Sequence, residues 1–497
     1  MKLSKPALLA ATAMTCSLAY AQPSAPSRDD HHWIGTESIK SRVGSFEFKG
    51  GYPTPASSDK LHDLLVFNRA IEVYLQNIAA VSMFKFRKGL GDFGVKTPSQ
   101  VAIWPELLDA NTLLLTPNGD TVYTVAFLDL KRDGPTVVEL PPKMLGLFDD
   151  MWMRYIVDGG IAGPDKGQGG KLLFLPPDYK GDVPLSGYFV SKSPTYGIWM
   201  LMRAVDPDPK AAAERSRRIK IYPLAEASSP KPTTFLDASG KYLDTIHADD
   251  YTFFEELNEL VQQEPADAIG SLERFYLASI GIVKGQPFAP DKARKDLLME
   301  AARVGAAMAR MNAFAGKDPE AIVYPGKHWQ WAFVGGSYLF NNQGYDNIDR
   351  RGAFAYAATG NTPAMASKVV GAGSQYMWAA RDARGNFLDG KKHYRLRIPA
   401  NPPVKDFWSV TVYDTKSRSM LQNGQKFPTV SQYTNPDKNP DGSIDIYFGP
   451  KAPAGKEKNW IRTLPDRGWF PILRFYGPLQ PFFDKSWQPD DISEVGR

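Results

Sequence analysis

The stretch Phe407-Trp408-Ser409-Val410-Thr411-Val412-Tyr413 is aromatic and β-branched almost throughout, the composition that packs on a pleated, half-buried surface. Upstream, Tyr394-Arg395-Leu396-Arg397-Ile398 alternates apolar with charged side chains, and downstream Ile444-Asp445-Ile446-Tyr447-Phe448 follows an Asp441-Gly442 turn. Ile472–Tyr476 closes the series. Short strands joined by long connections rich in Pro and Gly predict an antiparallel sandwich or jelly roll for the last third.

Working back from there, residues 249–315 carry helical periodicity. Phe253, Phe254, Leu257, Leu260 and Val261 form one stripe, and a second helix from Asp291 carries Leu297, Leu298, Ala301, Val304, Ala307 and Met308. Before them lies another strand series: Thr121–Leu130, Thr136–Leu140, Met153–Val157, Lys171–Leu175, Gly187–Val190 and Gly197–Arg203, with Lys220–Pro223 as a further candidate. The Pro pairs at 141–142 and 176–177 forbid continuous helix there. A helix is expected from Ser57-Ser58-Asp59 to about Phe86, with Leu61, Leu64, Leu65, Ile71, Tyr74, Leu75 and Ile78 at three- and four-residue spacing.

The expected fold class is therefore α+β and β-rich: an N-terminal antiparallel β domain, a helical connecting layer and a C-terminal jelly-roll-like β-sandwich. Boundaries are placed at 57–225 for the first helix plus the N-terminal β domain, 226–345 for the helical connection and 346–497 for the sandwich. Residues 22–56 read as a polar tail or strap.

Residues 1–21 read as a secretory signal peptide. Lys2 and Lys5 precede the apolar run Ala7–Met14, and Ala19-Tyr20-Ala21 is the small-x-small pattern at which cleavage after Ala21 is expected. The apolar run is well short of the ~20 residues that span a bilayer. Cys16 lacks the residues that precede a lipidated cysteine. It is the only cysteine and lies in the segment to be removed, so the mature chain is expected to hold no disulfide, no thiolate nucleophile and no cysteine-ligated metal. The expected location is periplasmic or secreted, with no transmembrane segment.

Formal charge is +5 with both signs interspersed, which argues against a nucleic-acid partner. The basic run Arg215–Lys220 is read as a solvated helix end. Gly371-Ala372-Gly373-Ser374-Gln375-Tyr376 fails as a nucleophile elbow because Tyr376 stands where Gly is needed. Gly163–Lys171 fails as a phosphate loop because Asp165 and Leu172 occupy required positions, and a strand follows where a helix should. The six histidines form no spaced pair of the kind zinc enzymes use, and no organic-cofactor motif is visible, which leaves the cofactor unknown.

Two polar constellations stand out. In Thr116-Pro117-Asn118-Gly119-Asp120-Thr121-Val122-Tyr123 a turn leads into a strand, where Asn118 and Asp120 could bond their own backbone or form a polar rim with Tyr123. In Tyr345-Asp346-Asn347-Ile348-Asp349-Arg350-Arg351 the same residues could cap a helix or build an anion or sugar site.

Thr116–Tyr123, Leu128-Asp129-Leu130 and Gly134-Pro135 resemble the N-terminal half of a bacterial family, domain of unknown function 1254. Phe407–Asp414, Asp441–Tyr447 and Asn459-Trp460 resemble its usual C-terminal partner, domain of unknown function 1214. Gly281–Phe288 and Gly373–Tyr376 fit the same pattern, so the resemblance runs from about residue 100 to the C-terminus. It implies architecture, not activity: two β domains joined by helices in exported proteins.

The expected function is a hydrolase or binding protein for a small polar or glycan-like ligand in a cleft between the β domains. Asp120, Asp349 and Arg350 are the acid/base and anion-orienting candidates. Asn118 is expected on the rim, with Tyr123, Tyr376 and Trp408 as walls. The rival is a non-catalytic assembly protein that forms homo-oligomers. A third reading is a metal-dependent enzyme using Asp346, Asp349 and His328.

Overall fold

The structure is a computed structural model that describes residues 35–496. The expected signal peptide and the start of the expected polar tail lie outside the described residues.

The chain divides into two compact units, one ending at Leu65 and the other spanning residues 66–497. Where a polar tail is expected, the first unit holds a small antiparallel sheet of Thr36–Ser41, Gly44–Lys49 and Tyr52–Pro53. Only Phe46 among the residues of these three strands is buried. The long helix Pro55–Phe93 begins here, two residues before the expected cap. Thr54 Oγ1 accepts from the Ser57 amide at 3.3 Å, and Pro55 sits in the first turn, where a missing N–H costs nothing.

In the second unit, the 66–93 part of this helix is buried on most sides and lies against a six-stranded sheet. Its spatial order is Thr234–Asp237, Gln100–Ile103, Tyr123–Asp129, Gly197–Ala204, Met144–Asp150 and Tyr155–Gly160. Alternation distributes the residues of the 123–129 strand between two cores. Val125 and Phe127 face the helices, where Phe127 and Trp199 flank Phe86 at ring-centre distances of 5.8 and 5.7 Å. Ala126 and Leu128 face the opposite way, towards a four-stranded sheet carrying Val138, Leu172, Phe174 and Ile221.

The C-terminal region is a sandwich. A five-stranded sheet runs in the order Gln330–Trp331, Ser374–Trp378, Trp469–Pro478, Val404–Asp414 and Thr429–Ser431. Facing it, a four-stranded sheet is built from Trp460–Arg462, Ile444–Gly449, His393–Ile398 and Ser493–Val495. Trp408, Val410, Val412, Leu473 and Phe475 meet Tyr394, Leu396, Ile398, Ile446 and Phe448 in the core between them. The other face of the five-stranded sheet contributes Trp378, Tyr413, Phe470 and Ile472 to the helical core shared with the N-terminal sheet. The fold is thus α+β and β-rich, with no closed barrel among the described residues.

The strand Met144–Asp150 was not among those expected, although it lies next to the 197–204 strand inside the sheet. Its short apolar run Met144-Leu145-Gly146-Leu147-Phe148 lacks β-branched residues and ends in two aspartates, so neither periodicity nor propensity marks it. The sandwich core also draws in Val323, Tyr324 and Trp329, upstream of the expected boundary at 346. Phe354, Ala355 and Tyr356, downstream of it, join the helical core instead. No described helix is long and apolar enough to cross a membrane.

Candidate functional site

The Thr116–Tyr123 turn does both things its sequence allows. Asn118 Oδ1 accepts from the amides of Asp120 and Thr121 and from Thr121 Oγ1, each at 3.0 Å, which closes the turn on its own backbone. Its Nδ2 remains free to donate to two phenols, Tyr123 Oη at 3.2 Å and Tyr476 Oη at 3.0 Å. The turn is docked on the sandwich: Arg474 Nη2 donates to the Thr116 carbonyl at 2.6 Å, and Tyr413 Oη donates to that of Pro117.

Beside this junction, the N-terminal sheet and the five-stranded sheet wall a cavity of about 70 Å³. Leu145, Leu147, Leu201, Phe333, Phe354, Met365, Trp378 and Ile472 make its apolar wall, and Asn118, Tyr123, Tyr376 and Tyr476 supply amide and phenol groups. Three charged side chains line it: Arg203, Arg474 and Asp158.

The arginines define the site's electrostatics. Arg203 lies opposite Tyr123 in the strand ladder, and Arg474 lies opposite Tyr376. Their guanidinium carbons stand 5.8 Å from the ring centres of Tyr476 and Tyr376 respectively, and Arg474 is 5.4 Å from that of Tyr413. Among the described residues neither arginine belongs to an ion pair. Arg203 Nε and Arg474 Nη1 are buried with no hydrogen-bond partner. Burial opposes the charge of both groups, but the surrounding tyrosine oxygens outweigh it and hold both above the usual arginine value. Burial pushes Tyr123 and Tyr476 up, so both remain neutral phenols that can donate.

Asp158 sits on the Tyr155–Gly160 strand and accepts from Thr362 Oγ1 at 2.6 Å. Burial pushes its carboxyl up to about 6, against the Thr362 hydrogen bond and the Arg203 charge, which pull it down. The neighbouring Asn361 amide donates to Asp149 Oδ2 at 2.9 Å, so the segment Thr359-Gly360-Asn361-Thr362 ties the cavity wall to two aspartates of the N-terminal sheet. Gly360 adopts φ +91° there and has Leu147 3.3 Å from where a Cβ would stand. Both observations suit glycine.

The residues expected at the site part company. Asn118, Tyr123 and Tyr376 line the cavity. Asp120 does not line it: its carboxyl lies beside the hydroxyls of Ser409 and Ser431 and is raised by burial. Trp408 belongs to the sandwich core, on the opposite face of its sheet. Asp349 is exposed in the first turn of the Ile348–Ala357 helix and accepts from Asn312 Nδ2 at 3.1 Å. Arg350 is buried but occupied: its Nε and Nη2 donate to Asp318 at 2.5 and 2.9 Å, and its Nη1 donates to Asn342 Oδ1 at 3.1 Å. Asp120, Asp349 and Arg350 therefore do not converge: none of the three lines this cavity. For the metal reading, His328 donates its amide to Asp491 while Asp346 is exposed, and no cluster of three metal-binding side chains occurs among the described residues.

Sequence reading missed Arg203, Arg474, Tyr476 and Asp158. The signal was a lone charge in an apolar strand: Ile198-Trp199-Met200-Leu201-Met202-Arg203 half-buries one arginine among hydrophobes, and Phe470-Pro471-Ile472-Leu473-Arg474-Phe475 buries another. Such a charge needs a partner or a purpose.

Residues 98–223 match the family described as protein of unknown function DUF1254, and residues 373–480 match protein of unknown function DUF1214. The two matches fall in the N-to-C order that the resemblance implied. No curated protein matches it. Among solved structures, the VPA0106 protein from Vibrio parahaemolyticus is 20% identical with a TM-score of 0.54, covering 87% of this chain and 100% of that one. An uncharacterized protein from Burkholderia cenocepacia is 12% identical with a TM-score of 0.40, covering 88% of this chain and 97% of that one. The first likeness shows a shared fold and nothing further.

Proposed function

We propose that this exported protein binds a small amphipathic organic anion, a carboxylate with an apolar body, in the cavity between its N-terminal sheet and its C-terminal sandwich. The observation that carries the reading is the pair Arg203 and Arg474: two guanidiniums lining one cavity, one from each sheet, outside any ion pair, each with a buried N–H that lacks an acceptor. A carboxylate supplies what those groups lack, and guanidinium geometry favours such a partner. The apolar wall selects for the rest of the molecule. A neutral sugar would leave both charges uncompensated, and one lining carboxylate does not make the paired set that glycoside cleavage uses.

Thermal unfolding of the purified protein with benzoate, hexanoate, inorganic phosphate and glucose tests this. Benzoate or hexanoate should raise the melting temperature, with about 2.7 kcal/mol of stabilisation at a hundredfold excess over Kd, while glucose should leave it unchanged. A flat response to every acid would sink the reading.

A further inference from the structure

Asp158 is the charged group of the cavity that an anion site would not be expected to contain. From this we infer that the cavity takes up its organic anion together with one proton, the proton residing on the Asp158 carboxyl. The inference rests on the anion-binding reading above and adds its regulation.

Asp158 and both arginines line one cavity, yet no ion pair joins Asp158 to either of them among the described residues. Only Oδ1 of the carboxylate is engaged by a side chain, through Thr362. The charged and titratable groups around it are few. Arg203 faces it from the 197–204 strand, and its charge favours the carboxylate. Asp149, on the 144–150 strand, is close enough to be affected by Asp158, but does not line the cavity. On its own strand the Asp158 amide donates to Tyr155 Oη at 3.1 Å, and burial keeps that phenol protonated. Thr362, on the segment after the 348–357 helix, is neutral.

An anion seated on Arg203 changes this balance in one direction. It neutralises the cation that favours ionised Asp158 and adds a like charge beside it, and both effects strengthen proton binding to the carboxyl. The free cavity holds Asp158 at about 6, so the anion complex holds it higher. By reciprocity, a proton on Asp158 strengthens anion binding by the same factor. Below about pH 6 the carboxyl is protonated in both states and affinity is at its plateau. Above that, affinity falls until the pH passes the higher value of the complex. Between the two values each binding event consumes a proton from solution.

Titration calorimetry of the full protein with benzoate and hexanoate, from about pH 5.5 to pH 8 in buffers of different ionisation heat, reads both affinity and protons. The wild type should lose up to about tenfold in affinity per pH unit above its plateau and take up close to one proton at mid-slope. Asp158→Asn, fixed in the neutral form, should bind both acids with little pH dependence and no proton uptake. Thr362→Val gives a second handle: without the hydroxyl donor the carboxyl holds its proton to higher pH, so the onset of weakening should move upward. Binding with no proton uptake in the wild type overturns the inference alone. So does an Asp158→Asn profile that follows the wild type, or an unmoved onset in Thr362→Val. No binding of either acid at any pH overturns the anion site itself, and this inference with it.

Discussion

Arg350 and Arg203 are both arginines set among apolar neighbours, and the contrast between their surroundings separates cement from site. The Arg350 side chain is only 2% exposed, and its nitrogens are distributed over Asp318, Glu320 and Asn342, with the Asp318 hydrogen bonds holding its charge above the usual value. The whole donor fork is accounted for locally. Arg203 has tyrosine rings and phenols around it, no ion pair, and an Nε with nothing to donate to. A buried guanidinium with its carboxylates in place is part of the packing. One at a cavity wall without them has its binding capacity left over for something else.

The largest effect that would break this contrast is on binding. Arg203→Met keeps the length of the side chain and removes its charge, so benzoate affinity should fall by about thirtyfold or more, the ~2 kcal/mol lower end for truncating one member of a buried charge pair. Its melting temperature should stay level or rise, since a half-buried charge without an ion partner has been replaced by an apolar group. A variant that binds benzoate as the wild type does would place Arg203 with Arg350 as packing.

Arg350→Met should behave in the opposite way. Asp318 and Glu320 lose their common partner, and stability in urea should drop by about 2–3 kcal/mol, short of the ~3–5 kcal/mol seen for fully buried pairs because both carboxylates keep solvent contact. Benzoate affinity at saturating folded fraction should not change. An Arg350→Met protein that folds well but loses benzoate would reverse the two roles.

The same contrast explains what could be read from the chain. The Asn118 turn was legible because Pro, Asn, Gly and Asp in succession have few conformations open to them, and its place at the mouth of a strand followed. The two β regions and the connecting helices were legible from periodicity, including Thr136–Leu140 and Lys220–Pro223 at their observed bounds. Trp408 was misplaced by one step of alternation. It shares a face with Val410 and Val412, which point into the sandwich, whereas Tyr413 on the other parity points towards the cavity side. Asp349 and Arg350 drew attention through their density of charge, but dense charge on a helix start satisfies itself. Asp158, Arg203, Tyr376 and Arg474 come from four strands far apart in the chain, and only the packing of one sheet against the other brings them together. What the sequence did hold was the oddity of single charges inside apolar strands.

The smallest expected effect concerns whether an unpartnered buried group is enough to mark a site. Glu256, on the Thr252–Gln263 helix, is buried with Oε2 lacking a hydrogen-bond partner, but it does not line the cavity. Burial pushes its carboxyl up to about 7, with Lys85 and Lys88 pulling it down. A carboxyl raised on folding contributes stability that is complete below its unfolded value and is lost as pH rises through the folded one, here between about 4.5 and 7. Glu256→Gln removes that titration. Its stability in urea should match the wild type near pH 4.5, then exceed it by an amount that grows to on the order of 1 kcal/mol by about pH 8. Benzoate affinity should be unaffected at either pH. Equal stability of the two proteins across the range would mean that water or a neighbour already satisfies Glu256. A loss of benzoate binding would mean that the site reaches further into the helical layer than Arg203, Arg474 and Asp158 define.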